Sequence, residues 1–526
     1  MHSPEHFRGE GEKIKHVKEF GKVDGIVHVE DEFRPKFLQE PRIHQFIRDG
    51  TLHRSPSERP IDPFELFLDL VLVGVVHQFA DTAAEEGIAS GRKLVRFILS
   101  FTGAWSLWSD YSHYVNMSGL DDFPQRVYTF CTMAILIGFS ANCTGIPLTQ
   151  EEFDDHIGKG SLRGALGFFL VGKCIKFILH MYYGLRLRSF LLDQWFRAFR
   201  LLIFAALCLG AMFSPKLYIS AILYGVGYLT DVFQPLVITA LVRIFNYGRS
   251  LRTVTIADDS QGITDPSVRL PAFAVYNIEH FSERHAAFYT IVLGESIASL
   301  LYVIHDTEGT ARNSVPPDAR VGINATYGRA FMVLLTTFLL GWLYFTRDWG
   351  ASKIHPVRRH WFTFFIYVNV HWPLCAALNL ASGAVTRMVK YSDIDGHSGL
   401  EWYWGGGIAT AMVCLAVYDM SYKWDFMTTR RWMVWSVRIF FRLGIAAACA
   451  ILPLAYGTLV DSLDDLQFVS IYACFMVFLV AEELIGKLVV LRESERLKRE
   501  AAGKTRDQLV REPSQLESPE PGTPTL

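Results

Sequence analysis

Glu295 interrupts a long apolar run, ERHAAFYTIVLGESIASLLYVI, near its middle. A charge at the centre of a bilayer costs on the order of 2.5–3.5 kcal/mol even on lenient insertion scales. Such a residue must face a bundle interior or a wet cavity, where it can take up and release a proton or a small cation. Arg284 precedes it by eleven residues, about 20° in helical projection, so the two share a face, with Arg284 near the end of the run and able to set the field at Glu295. Gly294 would let a neighbouring backbone approach, and Ser296 carries a hydroxyl that can donate. The competing reading is a structural carboxyl satisfied by its neighbours.

A second run, PFELFLDLVLVGVVHQFA, carries Glu65, Asp69 and His77. Glu65 and Asp69 lie about 40° apart and His77 about 80° further round, within one interior arc. That suits a proton or cation path, or a polar stripe that joins helices by hydrogen bonds. Lys173, Lys176 and His180 follow i, i+3, i+7 and form a basic stripe that could pair with carboxylates, bind an anion or snorkel to an interface. Asp110, His113, Asp231, Asn369, His371, Asn379, Glu482 and Glu483 are further interior candidates, and Pro235, Pro373 and Pro453 would kink their helices. There is no H-E-x-x-H, Walker A, G-x-S-x-G or histidine box. The 17 histidines are scattered, and a metal site from His77, His113 or His180 is not argued by spacing. No cofactor, no metal and no enzyme chemistry is expected.

These residues need long helices to hold them. Of 526 residues, 50% are hydrophobic and only 20% charged, and mean hydropathy is +0.21 despite polar ends. This excludes a disordered chain, a collagen-like repeat and a small disulfide scaffold. The eight cysteines sit in or beside apolar stretches without a C-x-x-C pair. A net charge of -2 supplies no global field for nucleic acid. A helix needs about 20 apolar residues to cross the hydrocarbon. Twelve stretches qualify: 62–82, 93–113, 126–146, 162–182, 197–214, 217–241, 284–304, 327–347, 360–384, 402–421, 436–456 and 468–490. The expected fold is an all-α, polytopic transmembrane helix bundle. The first twenty residues lack an apolar core, so the first span is expected to act as its own insertion signal.

Basic residues alternate from side to side. Arg126, Arg186, Arg188, Arg197, Arg358, Arg359, Arg430, Arg431 and Arg492 fall in segments on one side, and far fewer fall on the other. By the positive-inside pattern both termini lie in the cytosol. The chain then divides into a charged cytosolic segment (1–60), a six-helix half (61–245), a polar cytosolic loop (246–278), a second six-helix half (279–490) and a disordered tail (491–526). The segment from Phe33 to Ile47 could form an amphipathic surface helix. Asn324 opens a glycosylation triplet, and Ser518-Pro519 and Thr523-Pro524 could be phosphorylated. The first and seventh spans align without gaps, Glu65 over Glu283 and His77 over Glu295, which suggests two parallel repeats.

PFELFLDLVLVGVVHQFA resembles the E-L-F-F-D-L-V-F-V signature that opens bacterial low-temperature-requirement A proteins. ERHAAFYTIVLGESI resembles that family's E-R-x-x-x-F-x-I-x-L-G-E-S-I signature. The tryptophan-rich stretch ending in DYSHYVNMSGLDDFPQR fits as well. The resemblance covers roughly 60–490 and places the family's marked residues on Glu65, Asp69, Arg284, Gly294, Glu295 and Ser296. The charged ends and the enlarged loop at 246–278 suggest a eukaryotic, fungal member. The resemblance implies a polytopic membrane protein without naming a reaction. The leading expectation is a secondary transporter or ion-permeation protein in the plasma membrane or an endomembrane. Its partners would be the lipid bilayer, an unknown small ion or metabolite and, as a homo-oligomer, further copies of itself. The rivals are a scaffold or accessory protein and a lipid-acting membrane enzyme.

Overall fold

The computed structural model describes residues 25–28, 39–48, 51–54, 61–85, 89–233, 273–305, 325–346, 353–354, 356, 361–390, 399–424, 429–456 and 464–511. Pro235, Asn324, most of the 246–278 loop and the Ser518 and Thr523 sites lie outside them. The first half holds α1 (Pro63–Ala83), α2 (Gly91–Ser118), α3 (Phe123–Cys143), the short α4 (Gln150–Asp154), α5 (His156–Arg186) and α6 (Leu191–Phe213), then α7 (Leu217–Phe233). The second holds α8 (Ile278–His305), α9 (Ala325–Phe345), α10 (Trp361–Lys390), α11 (Leu400–Ser421), α12 (Thr429–Leu454) and α13 (Asp465–Arg511).

Local chemistry sets the helix ends. Asp62 caps α1 by accepting from the Phe64 amide at 2.7 Å, with Pro63 in the first turn where no amide hydrogen is needed. Ser90 and Asp122 do the same for α2 and α3. α2 stops at Gly119, whose φ of 59° is the left-handed conformation that glycine adopts at least cost.

The outward faces of the helices are apolar where those of a protein in water are polar. On α1, Phe64, Leu66, Phe67 and Leu70 point outward while Glu65 and Asp69 are buried. That arrangement is stable only if the surroundings are apolar and the interior supplies polar partners. Six helical segments among the described residues are long and apolar enough to cross a membrane: Pro63–Ala83, Arg188–Phe213, Tyr327–Phe345, Phe362–Val389, Leu400–Ser421 and Arg430–Leu454. α2, α5, α8 and α13 carry ionisable groups in their central turns, and these find partners inside the bundle.

α1 packs against α2, α3, α8 and α10. In the first half α3 packs on α5 and α5 on α6, while the Phe204 and Tyr224 rings join α6 to α7 at 5.8 Å. In the second half α8 packs on α10, α10 on α11, α11 on α12, and α13 on both α12 and α9. α1 and α10 come close at Gly383, where a Cβ would stand 2.8 Å from the Ala80 carbonyl oxygen. Small residues allow such backbone contact between helices in lipid.

Two small sheets lie beyond the helix ends. β1 (Gly25–His28), β2 (Phe46–Arg48), β3 (Thr51–Arg54) and β4 (Phe273–Ala274) form one sheet, in the order β1-β3-β2-β4. β5 (Lys353–Ile354) and β6 (Lys423–Trp424) pair antiparallel in the other. The amphipathic helix expected over Phe33 to Ile47 is absent from its described part. Residues 39–45 are non-helical and lead into β2. Their backbone is committed elsewhere: His44 N donates to Met117 O at 3.0 Å, and Val275 N donates to Gln45 O at 3.0 Å. At the other end α13 continues as helix to Arg511, where a disordered tail is expected from 491. The stretch after 490 is rich in helix formers, with Glu495 placed four residues before Arg499.

Gly383→Leu forces α1 and α10 apart at a point where backbone meets side chain. It is expected to lower stability by about 1–3 kcal/mol, read as a reduced melting temperature in detergent. Gly444→Leu, where a Cβ meets nothing within 4 Å, should leave the melting temperature unchanged.

Candidate functional site

The contacts between α1 and α8 advance in the same direction along both chains. Glu65 meets His280 and Arg284, Asp69 meets Arg284, and His77 meets Glu295. The two helices are therefore parallel, and three sets of polar contacts are strung along α1.

The first set lies near the start of both helices. Arg284 is fully buried, with Nη2 2.8 Å from Asp69 Oδ1 and Nη1 3.4 Å from Glu65 Oε2. The same Asp69 oxygen accepts from Trp108 Nε1 at 2.7 Å. The guanidinium lies over the Trp108 and Tyr111 rings, at 5.8 and 5.9 Å from their centroids, a cation–π arrangement. His280 Nε2 stands 3.1 Å from Glu65 Oε2. Its other nitrogen, Nδ1, is 3.2 Å from Asn116 Nδ2. Asn116 is oriented by the Asn277 backbone, donating to its carbonyl and accepting from its amide, both at 3.0 Å. Since Asn116 Nδ2 can only donate, Nδ1 of His280 accepts and the ring hydrogen is carried by Nε2, which lies close to Glu65 without hydrogen-bond geometry. α1, α2 and α8 are thus joined by one buried network.

Eight residues further along α1, a rise of about 12 Å, His77 Nδ1 lies 3.3 Å from Glu295 Oε1, with side-chain exposures of 32% and 21%. Ser299 Oγ is 3.2 Å from His77 Nδ1 and donates to the Glu295 carbonyl at 2.8 Å. This set is accessible where the first is sealed. Leu72, Val73 and Val76 of α1 and Phe288 and Val292 of α8 are buried between the two levels. Near the far end of α1, Asp81 accepts from Arg387 of α10 at 2.6 Å.

The sequence candidates therefore fall into two groups. Glu65, Asp69 and Arg284 come together, and so do His77 and Glu295. Arg284 pairs with the α1 carboxylates and lies about 16 Å of helical rise from Glu295. Ser296 turns back to the Val292 carbonyl at 3.3 Å, and Ser299, one turn on, takes the place expected for it. Gly294 faces open space, with no backbone approaching it. His280, Trp108, Ser299, Asp81 and Arg387 are members that the sequence reading did not select. The usable signal for His280 was its i, i+4 spacing to Arg284.

Two further ion clusters lie away from this seam. Lys173 Nζ donates to Asp110 at 2.6 Å and to Ser106 at 2.8 Å, and lies 3.3 Å from Asp231. Lys176 pairs with Asp110, and Arg200 lies 3.5 Å from Asp231. The basic stripe thus meets carboxylates, while His180 pairs with Gln194 at 2.8 Å. In the second half Arg442 bridges Asp419 and Glu483, and Arg438 reaches Glu483 at 2.8 Å. Among the described residues no group of three or more His, Cys, Asp or Glu side chains is gathered as a metal site.

Apolar spans with an ion-paired interior define an integral membrane protein of the polytopic helical class. The chain belongs to the family described as bacterial low temperature requirement A protein (LtrA), whose model matches residues 61–480. No curated protein and no solved structure matches it.

Arg284→Gln leaves two carboxylates buried without their cation and is expected to cost about 3–5 kcal/mol, seen as a large drop in thermal stability. In a double-mutant cycle with Asp69→Asn the combined loss should fall short of the sum of the two single losses.

Proposed function

We propose that this protein is a twelve-span secondary transporter or ion-permeation protein that moves protons or small cations along the seam between α1 and α8. The observation that carries the reading is the series of acid–base contacts at Glu65/Asp69, His77 and Asp81 along a single helix. α1 has 21 residues, or about 31 Å of rise, close to the hydrocarbon thickness of about 30 Å. The polar series from Glu65 to Asp81 covers about 24 Å of that rise, more than is needed if it serves only to join helices.

The accessible pair His77 and Glu295 is the binding site. Its carboxylate and imidazole take up the proton or cation, and Ser299 supplies an oxygen. The buried apolar layer at Leu72, Val76 and Val292 and the Arg284 network close the route toward the start of α1. Transport then requires that layer to part, as in alternating access between two bundles.

A parallel repeat is part of this reading. Neighbouring helices recur in the same order in both halves: α1 with α3 and α8 with α10, α3 with α5 and α10 with α11, α5 with α6 and α11 with α12. Under the ungapped alignment His77 corresponds to Glu295, and these two residues meet each other, as residues on a pseudo-twofold axis do. The bias of basic residues toward the face where α1 begins supports a cytosolic location for that face.

The test is flux in proteoliposomes under a proton or alkali-cation gradient. Wild-type protein should carry flux, and Glu295→Gln should lower it at least tenfold while the melting temperature holds. Equal flux in the variant would remove Glu295 from the mechanism. Absence of flux in wild type together with a stability loss in the variant would favour a scaffold role.

A further inference from the structure

A cavity of about 490 Å³ opens between α2, α3, α5 and α7, on the far side of α2 from the seam. Its mouth lies at the start of α2, beside Arg92, Arg96, Pro147, Leu148 and Tyr218, and its inner end is lined by Ser100, Phe139 and Tyr224. Nine residues of α2 separate Gly91 from Ser100, about 14 Å of rise, close to the depth of one leaflet's hydrocarbon. The walls between are almost wholly apolar, among them Leu99, Leu162, Ala165 and Leu166. The side is open to the surroundings: Val95, Tyr218 and Ile222 on its edge are exposed by 51%, 58% and 59%. In a helix bundle surrounded by lipid such an opening faces acyl chains.

The mouth carries positive charge. Arg92 is exposed, and among the described residues neither it nor Arg96 forms an ion pair. Arg96 donates to the carbonyls of Ile146, at 3.0 Å, and Thr144, at 3.5 Å. Both stand in the first two turns of α2, where the helix dipole adds to the field. At the inner end Tyr224 is 6% exposed, and its hydroxyl has no hydrogen-bond partner among the described residues. A long apolar slot with a cationic mouth at the membrane boundary matches a molecule that has one long hydrocarbon tail and an anionic head.

The geometry points to a lipid site: the cavity takes one acyl chain of an anionic phospholipid drawn from the leaflet at the start of α2, with Arg92 and Arg96 holding the phosphate. It is separate from the α1–α8 seam and does not depend on transport there.

The probe is a phosphatidylglycerol bearing a photoreactive diazirine on its acyl chain, in nanodiscs holding the full-length protein. Crosslinks are mapped by peptide mass spectrometry. Labelling should concentrate on peptides of α2, α3, α5 and α7 that line the cavity. Unlabelled phosphatidylglycerol should compete at least fivefold better than phosphatidylcholine, and Arg92→Glu, on an exposed residue, should erase that preference. Ala165→Trp should lower cavity labelling at least fivefold, and Ala221→Trp at the edge serves if the first variant misfolds. Labelling spread evenly over lipid-facing helices and insensitive to the tryptophan variants would overturn the site. Competition by oleate stronger than by phosphatidylglycerol would overturn the assignment to a phospholipid and leave a free fatty acid as occupant.

Discussion

An arginine with no exposed surface and two carboxylates beside it, all inside an apolar bundle, sets the terms for the rest of this structure. Each charge alone would cost several kcal/mol to bury, and their attraction offsets that cost only when geometry and secondary hydrogen bonds are good. Arg284 meets the condition in part: Nη2 bonds Asp69, Glu65 lies close by and two aromatic rings face the guanidinium, while Nε and Nη1 have no hydrogen-bond partner among the described residues. His280 and Asn116 extend it to the backbone at Asn277. The relative rotation and height of α1, α2 and α8 are fixed as a result, because a slip of one residue on any of them would strand a charge in oil. The Lys173/Asp110/Asp231 and Arg442/Asp419/Glu483 clusters impose the same condition on the outer helices of each half.

Contacts of this type give orientation more than stability. Dispersion alone would let apolar helices settle at many rotations, since lipid is as apolar as their side chains. The seam then differs from the outer clusters in one respect. Its first level is closed by a permanent cation, whereas its second pairs an imidazole with a carboxylate that remains partly accessible.

Much of this can be read from the residues. Spans stand out because oil demands internally bonded backbone, and the matched polar faces of the first and seventh runs follow from helical spacing. What sequence does not give is which charge answers which. Arg284 and Glu295 share a face in projection, yet eleven residues of rise separate them, and Arg284 turns to the other helix. Ser296 and Ser299 are indistinguishable as hydroxyls on one helix; only the position of His77 selects the second. Gly294 reads as a contact point but looks into open space, since glycine marks room without saying what fills it. His280 is hard to single out in sequence because its partners, Glu65 and Asn116, lie on other helices. At the ends, the described part of a segment that could fold as an amphipathic helix runs without helix into a short strand, because Met117, Val275 and β4 offer its backbone hydrogen bonds at once.

That same segment has a mechanical effect. Gln39 binds Asp122 and Asp121, Arg42 binds Gly119, and β2 pairs with β4 just ahead of α8, where Ala274 is also held by Arg197 of α6. A strap therefore runs from the α2–α3 turn to the threshold of the second half, all at one end of the bundle. At the other end the halves also meet, through the Asp81–Arg387 pair and through Tyr403, whose hydroxyl accepts from the Ser90 amide and donates to the Ser90 carbonyl. The bundle is therefore tied at both rims, by backbone pairing at one and by side-chain contacts at the other, so neither rim can open without breaking hydrogen bonds.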